Sequence, residues 1–341
     1  MRILLEAHHP AHIHLFKNAV RSWQERGHEV LMLGRDRDVM KALLRAYDWI
    51  PSVILSQDQR NNRFPLAEFL QRQAGVASHI LRFRPDVVAS TMGSYTQSSK
   101  LLDVPSVIFT DSEHQAFNHR IAHPFAKVIY TPRCFYKDLG PKQHRYAGYH
   151  ELAFVHPKYF TPRREVLEKL GGIKPHSYTL LRTSAFNTLH DIGQAGLGAV
   201  MDEVIRRCEE RGPVFIVAEE NKIPSQWRDK HLSLPPDWFH DVIAFAGAVV
   251  TEGASTASEA ACLGIPTVYV NSHAVGYLLD QQRAYDLVDV LSPDGPIVAC
   301  VEKRLAQAND RARWDAAKEA LLRDHDDVTE VIAEAVERAA L

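Results

Sequence analysis

The stretch Val249 to Val270, VVTEGASTASEAACLGIPTVYV, has the residue types and spacing of an anion site. Ala248 to Val250 is a short apolar run that Gly253 breaks. Ser255 or Thr256 can then cap a helix whose apolar positions Ala257, Ala260, Ala261 and Leu263 share one side, and Gly264 and Pro266 end it. Small residues at Gly253, Ala254 and Ser255 let backbone N–H groups come close to an anion, and a helix N-terminus adds partial positive charge. Glu259 lies one turn further in, where its carboxylate could accept hydrogen bonds from a ribose diol attached to a bound phosphate. A plain βαβ turn, with Glu259 only favouring the helix dipole, fits the same residues, and both readings stay open.

Two polar loops are further candidates. His8, His9, His12 and His14 follow the first apolar strand, and His12 is the favoured general base. His14 is the second candidate, with capping or packing its own helix as the alternative. The spacing HHxxHxH is not that of a zincin and no carboxylate completes a ligand set, so no metal is expected. Asp111, Glu113 and His114 follow the strand Ser106 to Thr110, where open α/β sheets place ligands. A capped polar loop is the alternative there.

The elements that must position these residues alternate strand and helix. The expected first half has strands at Arg2–Glu6, Glu29–Leu33, Asp86–Ser90, Ser106–Thr110, Lys127–Thr131 and Arg145–Ala147. Helices are expected at His14–Arg26, Asp38–Ala46 and Phe64–Leu81, with a polar segment from Ser52 to Asn62 and another helix ending near Leu102. Gly148 to Pro162 reads as a docking linker. Beyond it come strands at Tyr178–Arg182 and Val214–Ala218, helices at Gly193–Glu210, Trp238–Ala244 and Tyr277–Tyr285, and helical sequence over Glu302–Leu341 broken near Asp324–Asp327. The first βα turn lacks GxGxxG, which removes the main support for a dehydrogenase.

The 341 residues, 45% hydrophobic and 24% charged, suit two soluble domains. A net charge of −2 gives no general attraction for nucleic acid or anionic lipid. Cys134, Cys208, Cys262 and Cys300 are widely separated, so neither a disulfide framework nor a thiolate zinc site is expected, and a reducing cytoplasm fits. The N-terminal apolar run is too short for a signal peptide, and no stretch reaches the roughly 18 apolar residues of a membrane helix.

Along essentially its whole length the chain resembles the domain-of-unknown-function family 354. The resemblance rests on PAHIHLFK (Pro10–Lys17), TDSEH (Thr110–His114), HPFAKVIYTP (His123–Pro132), GYHELAFVHP (Gly148–Pro157), HDIGQAGL (His190–Leu197) and EGASTASEAACLGIPTVYVNS (Glu252–Ser272). It implies a GT-B fold, two facing Rossmann-like domains with parallel sheets and an interdomain cleft. The implied domains are 1–160, an acceptor domain, and 161–325, a nucleotide-sugar domain, with a helix over 326–341 packing back on the first.

By similarity to the N-acetylglucosaminyltransferase of peptidoglycan synthesis, Gly253, Ser255 and Thr256 would hold a diphosphate and Glu259 the ribose. Gln281 and Gln282 would meet the donor sugar, and the segment starting at Phe239 would flank the base. Arg182 is a candidate phosphate clamp, an interdomain salt bridge being its alternative. The implied activity is transfer of a sugar from a nucleotide-diphosphate donor, UDP-linked, to a glycan or lipid-linked acceptor, with no further cofactor and no nucleic acid. Peripheral membrane contact and a homodimer stay open. The UDP-N-acetylglucosamine 2-epimerases offer an alternative through Phe117–Pro132. Their H-G-D is replaced here by Met92-Gly93-Ser94 and their H-R-R-E-N by Leu181-Arg182-Thr183-Ser184, which leaves Glu113 as the acid or base. A non-catalytic nucleotide-sugar binder is the other alternative.

Overall fold

Strand β1 (Arg2–Ala7) is buried from its second residue onward, the state of a central strand covered on both faces. In the computed structural model it pairs in parallel with β2 (Glu29–Asp36) on one side and β4 (Val87–Ser90) on the other. The structure describes residues 1–36, 39–57, 65–93, 95–183, 196–218 and 223–341. Parts of the sequence reading fall outside these residues: the starts of two helices at Asp38 and Phe64, the end of the polar segment at 58–62, Ser94, Ser184, and the motif residues 190–195.

The chain forms two compact units, Met1–Phe154 together with Asp326–Leu341, and Val155–His325. The first holds a seven-stranded sheet in the order β3-β2-β1-β4-β5-β6-β7, completed by β3 (Ser52–Gln57), β5 (Ser106–Phe109), β6 (Val128–Pro132) and β7 (Gln143–Tyr146). Its helices are α1 (Pro10–Glu25), α2 (Met40–Ala46), α3 (Pro65–Phe83), α4 (Thr96–Leu101) and α5 (Ala116–Ile121), with α6 (Leu152–Val155) at its end. Helix α1 starts four residues earlier than expected. Pro10 occupies its first turn with φ pre-set for a helix, and the His9 ring accepts the Ala11 N–H at 3.2 Å. Gly148 to Phe154, the first part of the expected docking linker, belongs to the first unit, and Tyr149, Leu152, Ala153 and Phe154 are core residues.

The second unit begins with α7 (Glu165–Lys169). Its five-stranded sheet runs β12-β11-β10-β8-β9, from β8 (Thr179–Arg182), β9 (Val214–Val217), β10 (Ala248–Thr251), β11 (Thr267–Val270) and β12 (Val288–Leu291). Around it lie α8 (Met201–Glu209), α9 (Phe239–Ala244), α10 (Ala254–Cys262), α11 (Gly276–Tyr285), α12 (Ile297–Gln307) and α13 (Arg311–Arg323). The named strand pairs of both sheets are parallel.

Helix α14 (Val328–Ala340) belongs to the first unit and packs on α1, β4 and β5. Asp327 caps it by accepting the Glu330 N–H, and its buried face is Val328, Ile332, Ala333, Val336 and Ala339. Trp23, fully buried, donates its indole N–H to the Ala333 carbonyl at 3.4 Å. Burying one such large apolar side chain contributes roughly 1.5–3 kcal/mol.

Both edge strands β3 and β12 were absent from the sequence reading. Each is a short run beside one neighbour, and in β12 Asp289 interrupts the apolar pattern because it serves as an acceptor for the buried Arg304 at 2.6 Å. The C-terminal helical sequence is three helices rather than two, with an additional break before Asp310, whose side chain caps α13. Among the described residues no helix is long and apolar enough to cross a membrane.

Candidate functional sites at the two strand switch points

In each sheet the chain order reverses direction at one place, and side chains beyond the carboxyl ends of the strands meet there. In the second unit the reversal lies between β8 and β10, which pair in parallel. Arg182 ends β8, and its guanidinium Nη1 donates to Thr256 Oγ1 in the first turn of α10. The same guanidinium lies over the Phe239 ring, 5.3 Å from its centroid. A Cβ on Gly253 would stand 3.3 Å from Arg182 Nη1, so any side chain there would press the guanidinium away by a few tenths of an ångström.

Gly253 is itself the N-cap of α10, with φ −92 and ψ 118 and no side-chain cap. Ser255 and Thr256 therefore do not cap the helix. They sit inside its first turn, where the N–H groups of Ala254, Ser255 and Thr256 have no acceptor within the helix. Arg182, Phe239, Gly253, Ala254, Ser255 and Thr256 are thus brought together. Glu259 is 5% exposed, and its Oε1 lies 3.2 Å from Nε2 of the buried His240. Its carboxylate faces α9 in this arrangement, and a diol would have to draw it from that partner.

The glutamine pair is not part of this cradle. Gln281 is fully buried and donates to Ser258 Oγ at 2.8 Å and Cys262 Sγ at 3.5 Å, tying α11 to α10. Gln282 accepts the Val290 N–H at 2.8 Å and holds β12. Adjacent residues on a helix diverge by about 100°, so one glutamine faces α10 and the other the sheet edge.

In the first unit the reversal lies between β1 and β4. Thr91, just after β4, places its Oγ1 2.8 Å from His12 Nε2 and 2.9 Å from Nδ1. His12 Nδ1 accepts the His8 N–H at 3.1 Å, which in a neutral ring puts the proton on Nε2. Burial, and then the neighbouring His9 and His8, push the His12 pKa well below its usual value, and the imidazole is neutral at pH 7. Gly93 takes φ +66 in the loop that carries Thr91, and its N–H bonds to Ser90 Oγ at 2.8 Å.

Asp111, after β5, lies 3.1 Å from His150 Nδ1 and accepts Ser112 Oγ at 2.9 Å. Burial would raise its pKa, but the His150 ring, through charge and hydrogen bond, and the Ser112 hydroxyl outweigh that and hold it at about 2. The charge of Asp111 also acts on His12. His12 therefore lies within electrostatic reach of Asp111.

His14 packs between Tyr47 and Phe154, with ring centroids at 5.9 and 5.3 Å, because two helical residues apart means a turn of about 200° from His12. Both lie within α1 rather than in a loop before it. Glu113 is 1% exposed, and its backbone carbonyl accepts the Lys137 ammonium. Among the described residues no three His, Cys, Asp or Glu side chains are grouped as metal ligands.

The family model described as "Protein of unknown function (DUF354)" matches residues 1–340. The chain belongs to this family. An uncharacterized protein of Methanocaldococcus jannaschii is 21% identical over 294 residues, covering 82% of this chain and 85% of that protein. Among solved structures, the UDP-GlcNAc 2-epimerase of Methanocaldococcus jannaschii, in complex with UDP-GlcNAc and UDP, superposes with a TM-score of 0.68 at 10% identity, over 94% of this chain and 98% of that one. The spinosyn forosaminyltransferase SpnP gives 0.65 at 11% identity, covering 100% of both chains. MurG of Acinetobacter baumannii gives 0.60 at 14%, covering 99% of each. The fold of this DUF354 chain is GT-B, as its motifs imply.

Several residues at these points were not singled out from sequence. His150 lies within the motif GYHELAFVHP and Thr91 directly after the expected strand Asp86–Ser90, so both carried a signal. His240, buried beside Glu259, carried none.

Proposed function

We propose that this chain transfers a sugar from a nucleoside-diphosphate donor, UDP-linked, to a glycan or lipid-linked acceptor. The observation that carries the reading is the meeting of Arg182 with Gly253 and the open first turn of α10. A planar guanidinium, unpaired helix N–H groups and a side-chain-free cap match the oxygens of a diphosphate. As the bond from the anomeric carbon to the diphosphate breaks, the same groups stabilise the negative charge on the leaving group. Phe239, which braces Arg182, is the residue at hand to flank the base.

His12 is the proposed acceptor of the hydroxyl proton. Its ring is neutral, as a base must be, and the charge of Asp111 favours the imidazolium that results. Its lone pair on Nδ1 already accepts the His8 N–H, so proton uptake requires that bond to be exchanged for one to the acceptor. That occupied lone pair favours the second reading, a non-catalytic nucleotide-sugar binder. An epimerase or hydrolase is the third, with Glu113 as its acid or base.

Titration calorimetry with UDP tests the cradle. Arg182→Ala is expected to weaken binding roughly ten- to a hundred-fold, the loss of charge-assisted bonds of about 1.5–3 kcal/mol, with the melting temperature nearly unchanged. Equal UDP affinity in the variant would refute the site. Incubation with UDP-sugars separates the readings: transfer needs an acceptor, epimerisation or hydrolysis proceeds without one, and a binder leaves the sugar intact.

A further inference from the structure

We infer that the first unit carries a second oxyanion site, built on Arg72 and keyed by Glu6 and His8, which receives an anionic group on the acceptor. Its role toward the acceptor rests on the transfer reading above, whereas the anion site itself does not.

Glu6 lies at the carboxyl end of β1 with 5% of its surface exposed. His8 Nε2 bonds to its carboxylate, and Arg72 Nη1 of α3 lies 3.2 Å from His8 Nδ1. A guanidinium can only donate, so Nδ1 accepts and the Nε2 N–H donates to Glu6. The two bonds fix the ring in one orientation, with the Nε2 N–H toward Glu6. The His8 ring thus bridges the Glu6 carboxylate and the Arg72 guanidinium.

Of the five guanidinium N–H groups of Arg72, this leaves four with no acceptor among the described residues. One of these, the Nε N–H, is buried. No ion pair within the described residues includes Arg72, whereas Arg163 and Arg304 meet carboxylates directly. A partly buried cation that meets an imidazole rather than a carboxylate is costly unless an anion completes it. The residue that holds it also sets the site: the His8 backbone N–H bonds to His12 Nδ1, so the anion would sit beside the proposed base. The fitting ligand group is a planar carboxylate or a phosphate, either of which the free edge of the fork can take in two bonds.

The probes are inorganic phosphate, a sugar phosphate and a uronate, followed by calorimetry and by the imidazole nitrogen signals of His8. Binding of the sugar phosphate or the uronate in preference to inorganic phosphate would mark an acceptor-borne group. Preference for inorganic phosphate would leave the anion site standing and overturn its assignment to the acceptor. Binding is expected to persist in Arg182→Ala, to fall at least ten-fold in Arg72→Gln, and to be partly kept in Arg72→Lys. UDP affinity should be unchanged in Arg72→Gln, so loss of the nucleotide reading and loss of this site are separately visible. His8 should keep its Nε2–H tautomer in the wild type with or without ligand. Anion affinity within two-fold of wild type in Arg72→Gln, or no anion binding by a normally melting wild type, would overturn the site and leave Arg72 as a brace for His8.

Discussion

Glu259 shows how burial alters what a residue can be asked to do. From sequence its carboxylate stands at a helix end, and Glu259→Ala would be expected to spare folding. In the structure it is buried against His240, and truncation leaves that histidine without its neighbour. Glu259→Ala is therefore expected to cost on the order of 1–3 kcal/mol of stability as well as UDP affinity. Glu259→Gln, which keeps the shape, should recover most of the melting temperature. A melt unchanged in Glu259→Ala would show that the His240 contact contributes nothing.

Two titrating groups of the first unit divide its acid sensitivity. Burial, then the ring of His119, lower the His123 pKa to about 4. The unfolded chain takes up that proton near pH 6.5 while the folded chain refuses it until about 4, so stability falls as pH drops through this window, by at most about 3 kcal/mol. Asp111 acts lower. Its depressed pKa gives stability present above the usual 3.8 and lost as pH falls through about 2. Melting temperature against pH should flatten in the upper window for His123→Phe and in the lower one for Asp111→Asn.

At the scale of elements, the seat of α14 depends on a glycine. A Cβ on Gly148 would overlap Val328 Cγ2 and press within 3.2 Å of the Tyr146 ring. Val328 opens α14, which is also tied by Thr329 Oγ1 to the Ala153 carbonyl at 2.9 Å and by Lys127 to the Ala339 carbonyl at 2.8 Å. These anchors oppose a simple shift of the helix. Gly148→Ala is expected to lower stability by about 1–3 kcal/mol, the usual range for overpacking, and adding Val328→Ala should restore part of it. Strict additivity of the two losses in thermal or denaturant melts would rule out the proposed collision. Element boundaries elsewhere follow local chemistry that the sequence holds but does not rank: Pro10 with the His9 cap sets the start of α1, and Gly253 rather than Ser255 or Thr256 sets that of α10.

At the scale of the whole molecule, both candidate sites come from strand order. Seventy-four residues separate Arg182 from Thr256 and seventy-nine separate His12 from Thr91, yet each pair is in hydrogen-bond reach. They meet because β10 lies beside β8 and β4 beside β1. The sequence by itself determined the alternation of strand and helix, the family through its ordered motifs, and the residue types able to meet a phosphate or take a proton. Those are local properties, written in apolar period, glycines and short polar runs. Tertiary structure alone decided that His12 meets Thr91 while His14 turns into the aromatic contacts of Tyr47 and Phe154. It also decided that Gln281 ties α11 to α10 and Gln282 holds β12, and that Arg72 comes to His8. The reason is geometric: a side chain's direction is set by helix phase and strand order, and its available hydrogen bonds by neighbours that lie far off in the chain.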